Sequence, residues 1–196
     1  MKSICVFCGS RLGSKPIYRE TAKSVGQLIA QQQLRLVYGG GNIGLMGVVA
    51  DAVLEHGGEV VGVIPGHLQE KEVGHAGLTE LHVVSTMHER KALMANLSDA
   101  FIALPGGFGT FEEFCEILTW AQLDLHRKPC GLLNVDGFYD PLLTLFDRAV
   151  DDGFLRPEYR SMVLTATDAD ELLMRMRAYK IDPHFPPLRK EGTELI

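Results

Sequence analysis

Two rhythms of apolar and polar positions alternate along this chain. Short apolar runs fall at residues 4–9, 34–38, 59–64, 100–104 and 130–135, with briefer ones at 80–84 and 162–165. Runs of this length, bounded by glycine, proline or polar residues, predict strands, and their continuous apolar character fits a sheet covered on both faces. Between them the apolar residues recur every three or four positions. Tyr18, Ala22, Val25 and Ile29 give one face of a helix over about 16–32, and Leu45, Val48, Val49, Ala52 and Val53 give another. Further helices are predicted over 87–99, after the second glycine-rich segment to about 123, over 139–152 and over 169–179. Residues 66–79 are polar and glycine-containing and are expected to form a long loop, a kind of segment that is often functional.

Strand followed by helix throughout argues for an α/β fold: a single-domain, Rossmann-like, doubly wound parallel sheet with helices on both faces. The domain is expected to span residues 1–180. A tail over 181–196 follows, in which Pro183, Pro186 and Pro187 cannot continue a helix.

Composition narrows the classes. The 196 residues are 46% hydrophobic and 22% charged, enough for one globular core. A net charge of -6 offers no broad basic surface, so neither nucleic acid nor membrane is an expected partner. No apolar run is long enough to span a bilayer, and the first strand begins almost at Met1 without a separate signal region. A cytoplasmic enzyme or binding protein is the expectation. Of the four cysteines, Cys5 and Cys8 form a C-x-x-C, but inside a strand and not at a helix start, so buried thiols are expected. Cys115 and Cys130 do not complete a zinc set, and the histidines show no metal-ligand spacing.

Two glycine-rich segments lie where a strand meets a helix. The first, Gly39-Gly40-Gly41-Asn42-Ile43-Gly44, matches G-x-G-x-x-G. The acidic residue that would hold a ribose at the end of the next strand is missing, since Glu59 stands at that strand's beginning. It is therefore read as a close-approach turn and not as a dinucleotide site. The Gly9–Lys15 stretch resembles a phosphate loop only loosely, one residue short of the usual spacing. The second segment, Pro105-Gly106-Gly107-Phe108-Gly109-Thr110-Phe111-Glu112-Glu113, follows the central-looking strand 100–104. Its glycines let a ligand approach the backbone, and a helix start there offers N–H groups to an anion such as phosphate. Glu112 and Glu113 admit two readings. With Thr110 as N-cap, Glu113 at the third helical position completes a capping box. The other reading gives Glu113 a part in chemistry. Arg90 lies on the apolar stripe formed with Met87, Met94 and Leu97. It either snorkels to solvent or is held there for a purpose.

Met87-His88-Glu89-Arg90-Lys91 followed by Pro105-Gly106-Gly107-Phe108-Gly109-Thr110-Phe111-Glu112-Glu113 resembles the signature pair of the Lonely Guy (LOG) family. The likeness continues through residues 38–47, 119–123 and 131–137. It implies a phosphoribohydrolase that cuts the N-glycosidic bond of cytokinin riboside 5′-monophosphates, and of AMP, to free base and ribose 5-phosphate. An old family label, lysine decarboxylase, does not describe this chemistry. The resemblance assigns the catalytic pair to Arg90 and Glu113. It assigns substrate contacts to Glu72, Lys91, Gly107, Phe108, Gly109, Thr110, Phe111, Glu112 and Thr119. It implies no metal or organic cofactor, and a homodimer with the site near the interface. Met87, Met94, Phe114 and Trp120, more apolar than one small domain requires, are compatible with such an interface and equally with a core. The alternative of a different class is a non-catalytic nucleotide carrier or sensor on the same fold. A pyridoxal-phosphate decarboxylase would need a Schiff-base lysine, for which only Lys91 is near the site.

Overall fold

The structure is a computed structural model that describes residues 1–69 and 74–180. Seven strands form one sheet: β1 Ser3–Phe7, β2 Arg35–Tyr38, β3 Val60–Pro65, β4 Glu80–Val84, β5 Phe101–Ala103, β6 Cys130–Leu133 and β7 Val163–Ala166. All pairings are parallel, in the order β4-β3-β2-β1-β5-β6-β7. The helices are α1 Pro16–Gln31, α2 Gly44–Glu55, α3 Gly66–Gln69, α4 Met87–Leu97, α5 Phe108–Gln122, α6 Asp140–Asp151, α7 Pro157–Arg160 and α8 Ala169–Ala178.

The period-2 alternation of a strand sends neighbouring residues to opposite faces. Ile4 and Val6 of β1 pack into the cluster that holds Val25 and Ile29 of α1, Val49 and Val53 of α2 and Leu172 of α8. Cys5 and Phe7 join the other cluster, with Met94 of α4 and Phe114 and Ile117 of α5. The core is thus two apolar layers, one on each side of the sheet, which is why the central strands read as unbroken apolar runs.

The chain winds outward from β1 to β4, then returns to the other side of β1 with β5. Cys5, Val6 and Phe7 register with Phe101, Ile102 and Ala103. The topological switch therefore lies between β1 and β5, and the connections diverge beyond their carboxyl ends, where open α/β sheets bind ligands.

Several boundaries differ from the sequence pattern. The expected long loop at 66–79 begins with the short helix α3, and α7 and a single 3-10 turn at Val135–Gly137 add elements of a kind too brief for periodicity to register. Helix α4 stops at Leu97, because Ser98 turns extended while its hydroxyl donates back to Met94 O at 2.8 Å. The tail over 181–196 lies outside the described residues.

Candidate active site

Helix α5 starts three residues earlier than a capping box at Thr110 would have it. Gly107 is the N-cap, in extended conformation, and Phe111 N donates to Gly107 O at 3.1 Å. Thr110 is therefore the third helical residue and Glu113 the sixth. The capping-box reading is wrong, for a physical reason. The Thr110 hydroxyl does not cap anything ahead of it; it packs on Gly106, where a Cβ would lie 2.1 Å from Oγ1. A capping box of the same logic does occur on α4, where Thr86 Oγ1 accepts from Glu89 N and Glu89 Oε2 accepts from Ser85 N. Freed from capping, Glu113 needs another reason to be on α5.

The α5 N-terminus is open. A Cβ built at Gly107 or Gly109 meets nothing within 4 Å, and Phe108 between them is 92% exposed. The N–H groups of Phe108, Gly109 and Thr110 precede the first intrahelical bond, so the helix presents donors and the positive end of its dipole to that space. Beside it lies a cavity of 360 Å³ at the β1–β5 switch, lined by Ser10, Arg11, Tyr18, Leu45, Gly107 and Phe138 among others. A larger hollow of 480 Å³, around Lys2, Arg35 and Glu59, sits at the amino ends of the strands, away from the α5 N-terminus.

Arg90 does not snorkel. It is 5% exposed, and its Nη2 donates to Gly39 O at 3.0 Å while Nη1 approaches Met87 Sδ at 3.8 Å. Arg90 from α4 and Glu113 from α5 converge on β1. Burial first, then the negative charge of Glu113, pushes the thiols of Cys5 and Cys8 up; the Ser98 hydroxyl and then the Arg90 guanidinium draw Cys5 partway back. A buried cation and a half-buried carboxylate thus flank the end of the central strand, one helical turn and a half from the open α5 N-terminus.

The first glycine segment is closed by the chain itself. Arg90 Nη2 would lie 2.0 Å from a Cβ at Gly39. Gly40, at φ 78°, rests against Ile64 and Leu81, and Gly41 makes an antiparallel bridge to Gly74. Gly44, at φ 60°, abuts Ser10 and Arg11, and Leu45 N at the start of α2 donates to Gly9 O at 3.0 Å. The chain's own backbone takes the place a dinucleotide would occupy. Glu59 pairs with Arg35 at the far end of the sheet, so no ribose acid is available there.

The remaining proposed contacts divide. Lys91 Nζ bridges Glu112 Oε1 at 2.5 Å and Glu116 Oε2 at 3.0 Å, fastening α4 to α5. Burial pulls its pKa down, but the two carboxylates outweigh that and hold it above its ordinary value. Within this chain Lys91 and Glu112 pair with each other. Phe111 stacks on Phe138 and meets Tyr139 edge-on, with centroids 6.3 and 6.4 Å apart, and so braces the start of α5. Thr119 lies about 16 Å down the α5 axis from Phe108 at 1.5 Å per residue, in a separate apolar groove with Phe146 and Phe154. Glu72 lies outside the described residues. Met94 and Phe114, each 1% exposed, belong to the core and not to a surplus apolar surface; Met87 and Trp120 are half-buried. Sequence reading missed the Gly39 carbonyl as the partner of Arg90, and it missed Tyr18 and Phe138 as cavity walls; their contacts are long-range and leave no local pattern.

A doubly wound sheet with an open helix start at its switch point defines a Rossmann-like α/β protein with a crevice that suits an anionic ligand. Comparison with known proteins makes this specific. A family profile described as "Possible lysine decarboxylase" matches residues 46–176. The chain is 52% identical over 179 residues to "Cytokinin riboside 5'-monophosphate phosphoribohydrolase LOG5" of Arabidopsis thaliana, covering 91% of this chain and 78% of that protein. It is 51% identical over 178 residues to the LOG phosphoribohydrolase of Oryza sativa subsp. japonica, covering 91% and 74%. The chain belongs to the LOG family. Among solved structures, a molybdenum cofactor carrier protein from Chlamydomonas reinhardtii superposes with a TM-score of 0.69 at 22% identity, over 91% of this chain and 99% of that one. The structure titled TM1055 gives 0.69 at 20% identity, over 91% and 100%. At these identities the likeness is one of fold alone.

Proposed function

We propose that this protein hydrolyses cytokinin riboside 5′-monophosphates, and AMP, to the free base and ribose 5-phosphate. The observation that carries the reading is the convergence of Arg90 and Glu113 beside an α5 N-terminus whose glycines face open space. In this reading the 5′-phosphate lies on the N–H groups of residues 107–110, as helix starts favour. The C1′–N bond to the purine breaks as positive charge builds on the ribose. Glu113 stabilises that charge and orients a water, whose oxygen forms the new bond to C1′. Its proton is accounted for by the departing base. Arg90, held rigidly by Gly39 O, secures the ribose-phosphate or hydrogen-bonds the leaving purine. Placed charges of this kind supply much of an enzyme's rate. Identity near 50% to proteins named as phosphoribohydrolases supports the enzyme over the carrier, whose named representatives match at 22%.

We also place the protein in the reducing cytoplasm, in keeping with its free cysteines, and as a homodimer. The occupant proposed for the groove holding Thr119 is a second copy, because the groove is mostly apolar and Phe154, which lines it, is 88% exposed. That arrangement would bring Thr119 into a site it does not reach within one chain. The test is a product assay with AMP and isopentenyladenosine monophosphate, their nucleosides as controls. Base from the monophosphates alone is expected. Binding without base would instead favour the carrier.

A further inference from the structure

The turn that holds Arg90 is itself held, and the holding residue is His75. His75 N donates to Gly40 O at 3.1 Å, next to the Gly41–Gly74 bridge. The His75 ring is 9% exposed. Its Nδ1 accepts from Gly77 N at 3.0 Å, which leaves the Nε2 hydrogen for Asp51 Oδ1 of α2 at 2.9 Å. His75 therefore joins three pieces: its ring ties the segment after β3 to α2, and its backbone N–H ties that segment to the glycine turn after β2. Below, Gly40 sits against Gly62 of β3, where a Cβ at Gly62 would lie 2.8 Å from Gly40 Cα. The turn is thus clamped between β3 and the His75 segment, and Gly39 at its edge offers its carbonyl to Arg90 at 3.0 Å.

We propose that His75 is a positioning residue: by latching the Gly39–Gly41 turn to α2 it fixes the carbonyl that aims Arg90. It acts through Gly39 and touches no reacting atom. A displacement of about 1 Å at a catalytic group can cost about 10²-fold in rate, so a small loosening of this clamp has a large readout. The proposal rests on the hydrolase reading for its kinetic arm only.

The experiment compares wild type with His75→Ala, His75→Gln and Asp51→Ala by steady-state kinetics on AMP and by hydrogen–deuterium exchange. For His75→Ala, kcat is expected to fall roughly 10- to 100-fold while KM changes less than about threefold, the pattern of a misplaced group and not of lost substrate binding. Exchange in residues 39–47 is expected to rise, with exchange in β1 and β5 unchanged. Gln keeps a donor for Asp51 and should recover most of kcat. If His75→Ala fails to fold, Asp51→Ala, which removes only the outer anchor, decides. Wild-type kcat and unchanged exchange at 39–47 in the folded variant would overturn the latch. Should the wild-type enzyme release no base, the hydrolase reading falls, and the exchange data alone judge His75.

Discussion

The chain contains two glycine-rich turns that look alike in sequence and differ in what fills them. Gly39–Gly44 is packed from every side: by Arg90, by Ile64 and Leu81, by Gly74, and by Ser10 and Arg11. Gly107 and Gly109 have nothing within 4 Å of a built Cβ. In the first turn glycine is demanded by the protein's own atoms. In the second it is compatible with the fold but not required by it, which agrees with the proposed phosphate contact there. A glycine motif therefore distinguishes structure from function only when the volume around it is known. The first turn still serves the second, because it delivers the carbonyl that holds Arg90.

The comparison can be broken most decisively at the carboxylate. Glu113→Gln should retain a cooperative melt close to wild type, since no helix cap is lost, and turnover should fall roughly 10²- to 10⁴-fold, the range for a general acid–base group. Near-normal turnover would return Glu113 to a structural role. Next in size is Gly39→Ala, whose new methyl would sit 2.0 Å from Arg90 Nη2. Turnover should fall about as far as in Arg90→Ala, within roughly tenfold, because both displace the same guanidinium. Third, Gly44→Ala should lower stability by about 1–3 kcal/mol, for strain at positive φ and collision with the Ser10 backbone. Gly109→Ala should leave stability level or raise it by up to about 1 kcal/mol, as a helical glycine replaced by alanine. Its effect should appear as a raised KM for monophosphates, read against melting curves of both variants. The smallest effect expected is from pH. Burial pushes Cys130 up to about 12, and Cys5 and Cys8 are also raised. Unfolded thiols ionise near their ordinary value of 9.0. The thiols' contribution to stability is therefore intact below about pH 9 and is lost as pH rises beyond it, measurable as a declining melting temperature that Cys130→Ala partly flattens.

Much of this was legible in the sequence, for reasons that can be given residue by residue. Continuous apolar runs mark β1, β2 and β3 because both their faces are covered, and the glycines mark where each strand ends. Arg90 stood out because a cation on an apolar stripe needs a partner, although the partner, Gly39 O, is 51 positions away. The helix start at Gly107 was misplaced because a capping box is a local pattern, while the contact that decides here is Thr110 against Gly106. Lys91 and Glu112 looked like substrate contacts from the motif alone; three-dimensional proximity pairs them with each other. Thr119 lies on α5 but in a separate groove, a placement that no local pattern reveals.

The thiol of Cys5 has a use that needs no mutation or label. It is fully buried in β1, within reach of the fields of both Glu113 and Arg90. Its S–H stretching vibration is thus an intrinsic electric-field meter set into the core beneath α4 and α5. Infrared difference spectra recorded while ribose 5-phosphate is added would register any change in those two charges as a frequency shift. Cys5→Ala would identify the band among the four thiols.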